Sequence, residues 1–350
     1  MDEITERPQR EYLSQIETPT DSYVARYPWA IEMAKEQQHV FWPAEELGVE
    51  DDIQDFRVGL NDAERHGVLT AQSVLTQYEL MIGGEEMWGG KIAQLFPRPD
   101  IRRMAACFAN VEQNSHAPFY DIGNQVMGNA TDEFYTRWKR DPILADRIHF
   151  IERCAGSFNP LEVTAALAFL EGAVLFSAFG YFKRFNSGGF SLLPHFVAGI
   201  DGSAKDEDFH SRASAMLFLT CRSERMDAGN HSPYQDEVLF NVIENLSSEV
   251  HAHELRITEL MFAVPGNRTS TKTDVIQFFE HRIDVVRQRL GMAPKFSHDG
   301  GPIAKEFYKD LNTYKHSDFF HTGQLQYTRN WAKHKLRFIP KTQKEEAHVV

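Results

Sequence analysis

The segment from Thr164 to Phe182, TAALAFLEGAVLFSAFGYF, constrains this chain more than any other. It is apolar all round and approaches the length of a bilayer-spanning helix. It carries one charge, Glu171, near its middle. A carboxylate there is costly in lipid and costly in a dry protein core unless something pairs with it. No other stretch is apolar for long enough to cross a bilayer. The segment therefore reads as a buried helix of a bundle, not a membrane span. What it leaves open is the partner of Glu171: a buried ion pair, a retained proton, or a metal ion.

The remaining sequence reads as helix almost throughout, and alternating β-type runs are scarce. Asn61 is placed to cap a helix running to Gly83-Gly84. Pro99-Asp100 opens another, through IRRMAACFANVEQNSHAPFYDIGNQVMG, with Pro118 as an interruption. Pro160 opens the apolar helix with Glu171, and Ser203 is placed to cap AKDEDFHSRASAMLFLTCRSER. Pro233 opens a long helix, and Thr273 or Asp274 begins VIQFFEHRIDVVRQRL. GGEEMWGG, RFNSGG, GIDGS and DAGNHSP read as connections.

The chemistry lies in acids and histidines inside these apolar helices. Glu207 and His210 are three apart and share a helical face. An inward Glu-x-x-His pair is the mark of di-metal carboxylate bundles. Glu112 and His116, four apart between apolar flanks, offer a second pair. Glu171 and Glu79 each supply one isolated acid from a further helix. Either Glu/His pair alone is more often a solvated face, whereas Glu171 is more telling because its neighbours are so apolar; the joint pattern on four helices is what argues for a site. Four carboxylates would neutralise two divalent ions, and an oxygen-rich set with two imidazoles suits iron or manganese.

Other acidic and histidine groups read as bystanders. Glu249, His251, His253 and Glu254 look metal-like but are expected to lie on a solvated face, and Asp227 with His231 is expected to serve a turn. Glu85 and Glu86 are potential competitors of Glu79.

Composition narrows the class. The 350 residues are 42% apolar and 25% charged, the balance of a globular protein. A net charge of -13 argues against nucleic acid or an anionic membrane as the main partner. Cys107, Cys154 and Cys221 are too scattered for a disulfide framework or a zinc knuckle. The polar start, MDEITERPQREYLSQIE, has no secretory signal, so a reducing intracellular compartment is expected.

In order along the chain stand FWPAEEL (Phe41 to Leu47), TQYELMIG (Thr76 to Gly83), FANVEQNSHAPFY (Phe108 to Tyr120), LEGAVLFSAF (Leu170 to Phe179), KDEDFH (Lys205 to His210) and SDFFHTGQLQYTR (Ser317 to Arg329). Taken together they resemble the small, radical-generating subunit of class I ribonucleotide reductase, in its bacteriophage and bacterial branches. The resemblance runs from about Val40 to Tyr327. It implies an all-α, ferritin-like bundle over residues 1–330 and a flexible tail over 331–350 that docks on a separate large catalytic subunit. It implies a cytoplasmic homodimer holding two iron ions, with manganese as the alternative, and a part in reducing ribonucleotides to deoxyribonucleotides.

The same resemblance makes Glu79, Glu112, His116, Glu171, Glu207 and His210 the metal ligands, with Glu112 bridging. Tyr120 matches the radical tyrosine, with Phe119, Leu175, Phe176 and Phe179 as candidates for its apolar cage. Trp42 matches the tryptophan that passes an electron to the site, and Asp206 the acid linking it to the metal-bound histidine. Glu79 stands where the family more often has Asp, and Lys205 where it often has Arg. The tail after Trp331 has no tyrosine, leaving Tyr327 or Trp331 as relay. The family's second-helix pair has two intervening residues, whereas Glu112 and His116 have three. A π-bulge would keep Glu112 aimed inward; in its absence Gln113 takes the inward position. Outside this family, another ferritin-like di-iron oxidase or oxygenase and a non-catalytic helical protein are the competing classes.

Overall fold

The computed structural model describes residues 12–313. Among these, every regular element is helical and none is a strand. Four helical columns carry the candidate metal ligands. The first is α2 (Asp62–Ile82), preceded by α1 (Pro28–Val40). The second joins α3 (Pro99–Val111), a π-helical turn at Glu112–His116, and α4 (Ala117–Met127). After α5 (Pro142–Gly156), the third column joins α6 (Pro160–Phe169), a second π turn at Leu170–Val174, and α7 (Phe176–Lys183). The fourth is α8 (Pro194–Asp227), followed by α9 (Pro233–Met261), α10 (Lys272–Arg289) and α11 (Gly301–Thr313).

Local chemistry fixes most helix starts. Asn61 and Glu64 form a reciprocal capping box at the head of α2, and Ser232 with Gln235 does the same for α9. Pro99 and Pro160 occupy first-turn positions, where the missing N–H costs nothing. Asp100, one residue on, accepts from the backbone N–H groups of Arg26 and Tyr27 and ties the N-terminal segment to α3.

Two starts differ from the sequence reading. The cap of α10 is Thr271, boxed with Asp274. More consequentially, α8 begins at Pro194, so Ser203 and the GIDGS segment lie inside it. Those glycines are there for close approach. A Cβ on Gly199 would sit 2.3 Å from the Phe119 ring, and one on Gly202 3.3 Å from Trp42. The backbone of α8 thus lies almost in contact with the aromatic groups beside the site.

Packing follows burial. α8 lies along α6, α2 along α4, and α1 along α3. α9 covers the seam between α2 and α6, and α10 closes over α7 and the second π turn. Helix Pro160–Asn186 is long and apolar enough to cross a membrane, but its apolar stretch is wholly buried inside the protein. Its surroundings are the other helices, as the lone Glu171 requires.

Candidate metal centre

The inward face of each column delivers its carboxylate or imidazole to one place. Glu79, Glu112, His116 and Glu207 bring ligand atoms within 4.8 Å of one another, and so do Glu112, Glu171, Glu207 and His210. All six side chains are fully buried. Glu112 and Glu207 belong to both groups. Glu112 stands 2.7 Å from His116 Nδ1 through Oε2 and 2.6 Å from His210 Nδ1 through Oε1. Glu207 faces His116 at 3.0 Å and His210 at 3.8 Å. Glu79 lies 3.9 Å from His116 Nδ1, and Glu171 3.8 Å from His210 Nδ1. The arrangement is two subsites with two carboxylates between them.

The π turn at Glu112–His116 decides which residue of the second column faces inward. Glu112 is fully buried, whereas Gln113 is exposed and donates to the Gly83 carbonyl at 2.7 Å. The extra residue between Glu112 and His116 is absorbed by the wider turn. A Cβ on Gly83 would stand 2.5 Å from Glu112 Cβ. Glycine at the end of α2 therefore admits the turn.

Outside the six, a hydrogen-bonded frame orients both rings. His116 Nε2 is 3.1 Å from Asp206 Oδ2, which also accepts from Trp42 Nε1 at 2.9 Å. His210 Nε2 is 3.1 Å from Gln37 Oε1, and Gln37 Nε2 donates to Asp206 Oδ1 at 3.0 Å. Both partners at Nε2 are acceptors. A neutral imidazole so placed keeps its proton there and turns a bare Nδ1 lone pair to the centre. Aromatic faces complete the frame: Trp42 lies 5.5 Å from His116, and Phe108 stacks on His210 at 4.2 Å. Trp88 Nε1 donates to Glu171 Oε1.

Electrostatics demand positive charge at the centre. Both oxygens of Glu79, Glu112 and Glu207, one of Glu171, and both Nδ1 atoms are buried without a hydrogen bond. Burial, then the Glu112 carboxylate, pushes Glu79 and Glu207 well above the usual carboxylate range. Burial opposes charge on His116 and His210, but Glu112 outweighs it, raising His116 well above its ordinary value and His210 to about 9. Orphaned lone pairs of this number in a dry core, hard oxygen donors with two imidazoles, fit a pair of divalent cations such as iron or manganese.

Tyr120 is fully buried one helical turn beyond His116, its ring 4.9 Å from Phe119. Burial, then the Glu79 charge, pushes its phenol well above the ordinary value, so it stays protonated. Of the cage candidates, Phe119 makes that contact. Phe176 packs with Phe179, Phe278 and Phe307.

Glu85 and Glu86 are exposed and do not compete with Glu79; their loop instead supplies Trp88. Trp88 and Gln37 escaped the sequence reading, because neither lies on the four columns or at a diagnostic spacing. Glu254 also differs from expectation. It is fully buried and paired with Arg147, while His251 and His253 beside it are partly exposed. His231 pairs with Asp236 beside the α9 cap, in keeping with a role in the turn. Tyr327, Trp331 and the 331–350 tail lie outside the described residues.

Known proteins resemble this chain in sequence and in fold. The family model "Ribonucleotide reductase, small chain" matches residues 21–302. A probable ribonucleoside-diphosphate reductase small subunit of Invertebrate iridescent virus 3 is 24% identical over 324 residues, covering 87% of this chain and 82% of the viral one. Among solved structures, the dimanganese(II) NrdF of Streptococcus sanguinis superposes with a TM-score of 0.69 at 15% identity, over 83% of this chain and 99% of that one. A putative class I ribonucleotide reductase from Bacillus halodurans gives 0.69 at 17% identity, over 80% and 99%. These structures share the fold, and the family match spans most of the sequence: the chain belongs to the small-chain family of ribonucleotide reductase.

Proposed function

We propose that this chain is the radical-generating partner of a large catalytic subunit, built around a di-metal centre and Tyr120. Glu79 and His116 would hold one ion, Glu171 and His210 the other, with Glu112 and Glu207 shared. The observation that carries this reading is the convergence of buried, hydrogen-bond-free oxygen and nitrogen atoms from four helices on one point. Iron is the metal we assign; the donor set accepts manganese as well.

Two bound ions of this kind supply, with O₂, the oxidising power for a one-electron oxidation next to them. The protein's own residues direct it. Tyr120 offers a buried, protonated phenol, and the apolar wall of Phe119 shields its ring from water. Trp42 delivers an electron along the hydrogen-bonded line Trp42–Asp206–His116, each link no longer than 3.1 Å. Asp206 holds both N–H groups and keeps the His116 ring turned to the site. The oxidising equivalent held on Tyr120 then passes to the large subunit, where ribonucleotides are reduced.

The wider organisation belongs to the same reading: residues 1–330 as one bundle, 331–350 as the docking tail, a homodimer, and a cytoplasmic setting. Fe(II) and O₂ added to the metal-free protein should give a tyrosyl electron paramagnetic resonance signal. Tyr120→Phe should abolish that signal at unchanged metal content. An unchanged signal in the variant would remove Tyr120 from the scheme.

A further inference from the structure

The third column changes helical register at Glu171. Its π turn, Leu170–Val174, is followed by Leu175, whose N–H returns to the Ala173 carbonyl before α7 begins. Such a break takes carbonyls out of the regular ladder, here among buried residues. Three buried side chains from three different helices reach carbonyls of this one turn. Tyr78 Oη, on α2 beside Glu79, donates to Leu170 O at 2.5 Å. Arg282 Nε, on α10, donates to Gly172 O at 3.1 Å. Arg147 Nη2, on α5, donates to Val174 O at 3.1 Å.

Both arginines are held in place by other contacts. Arg282 is fully buried; its Nη2 binds Asp208 at 2.6 Å, its Nη1 Tyr308 Oη at 2.9 Å, and its plane lies 4.1 Å from the Phe176 ring. Arg147 is paired with Glu254, which accepts in turn from Ser177. An ion pair alone would satisfy either charge. The further donor of each guanidinium is spent on the backbone that carries Glu171.

We propose that Arg147 and Arg282 are positioning residues of the metal centre: they lock the π turn so that Glu171 meets His210, and so set the affinity of that subsite. The inference rests on the two-metal reading of the preceding subsection. Neither arginine is a ligand. Each acts through the turn, with Trp88 fixing the far oxygen of the same carboxylate.

The test is titration of the full-length, metal-free protein with Mn(II), read by calorimetry and electron paramagnetic resonance, beside thermal unfolding of the metal-free form. In the wild type, two equivalents bind and give a coupled dinuclear spectrum. Arg282→Met and Arg147→Met should weaken one equivalent about 10- to 100-fold, the usual effect of losing a group that orients a ligand. The spectrum should then turn mononuclear at intermediate metal. Arg225→Met is the control: it breaks a buried bidentate pair with Glu17 of the same kind, at the far end of α8. It should lower the unfolding temperature and leave both equivalents intact.

Methionine variants that lose stability yet bind both ions as the wild type does would reduce the arginines to structural pairs and overturn the proposal. Should those variants not fold, Arg282→Lys decides. It keeps a cation opposite Asp208 without the fork that also reaches Gly172 O. A weakened second equivalent supports the proposal, and wild-type binding overturns it. A wild type that binds no second ion would instead sink the two-metal reading itself.

Discussion

Replacing Gly83 by alanine tests whether the approach of α2 to the first π turn sets the metal centre. The added Cβ would lie 2.5 Å from Glu112 Cβ, 3.1 Å from Gln113 Cγ and 3.2 Å from the Ala109 carbonyl. Carbon atoms in contact prefer about 3.5–4.0 Å, so the turn must retreat by roughly 1 Å. Glu112 Cβ is fixed to the turn's backbone, and no rotamer change relieves the clash. Overpacking of this sort costs about 1–3 kcal/mol, a drop of several degrees in Tm. A metal constellation tolerates a displacement of about 0.5 Å. Because Glu112 faces both histidines, both ions should bind more weakly, by about 10- to 100-fold.

Gly128→Ala is the matched control. Gly128 has φ +76° with nothing within 4 Å of an added Cβ, so its variant is strained by about 1–2 kcal/mol without touching the site. Calorimetric Mn(II) titration with thermal unfolding of both variants separates the effects. Gly83→Ala should lose metal affinity out of proportion to Tm, and Gly128→Ala should lose Tm alone. Equal metal binding in the two variants would refute the reasoning.

Gln113→Ala should leave metal content and Tm nearly unchanged, losing one hydrogen bond to Gly83 worth about 1 kcal/mol; loss of a metal ion, measured by elemental analysis, would put Gln113 rather than Glu112 at the centre. Trp88→Phe keeps the edge-on packing against Phe108 but removes the donor to Glu171. One equivalent should then weaken by about tenfold in the same titration. Glu17 gives a pH signature: burial raises its pKa, but the hydrogen bonds from Arg225 and Ser14 outweigh this and hold it below the usual range. Its stabilisation is complete above the unfolded value of about 4.3 and is lost as pH falls through the lower folded value. Glu17→Gln should therefore be less stable at neutral pH, with a shallower acid limb in unfolding of the metal-free protein; an unchanged acid limb would contradict this assignment.

The all-helical class and the meeting of the six ligand-type side chains were legible because each rests on local periodicity. Glu207 and His210 share a face at any helix angle, and Glu171 stands out as a charge among apolar neighbours. Glu112 was legible as a ligand, with Gln113 as its competitor for the inward position. A separation of four fits both an α-helix and a π turn, and the choice is made by Gly83 on a neighbouring column, which leaves room for the turn and accepts from Gln113. Gly199 and Gly202 misled for a related reason: glycine marks turns and close approaches alike, and what distinguishes them, the rings of Phe119 and Trp42, is distant in sequence. Gln37 and Trp88 left no trace, since each reaches the site from an element with no metal-binding pattern, and Arg147 and Arg282 meet only the backbone of the turn that carries Glu171. Glu254 read as solvated because its helix is polar elsewhere, while its partner Arg147 comes from α5.

The most direct measurement is metal content. Wild-type protein reconstituted anaerobically with Fe(II), freed of excess metal and analysed for iron, should hold two ions per chain. Glu112→Ala, lacking a carboxylate that faces both histidines, should retain neither firmly while keeping its helical circular dichroism. Full retention of two ions by Glu112→Ala, or a wild type that binds none, would contradict the dinuclear centre.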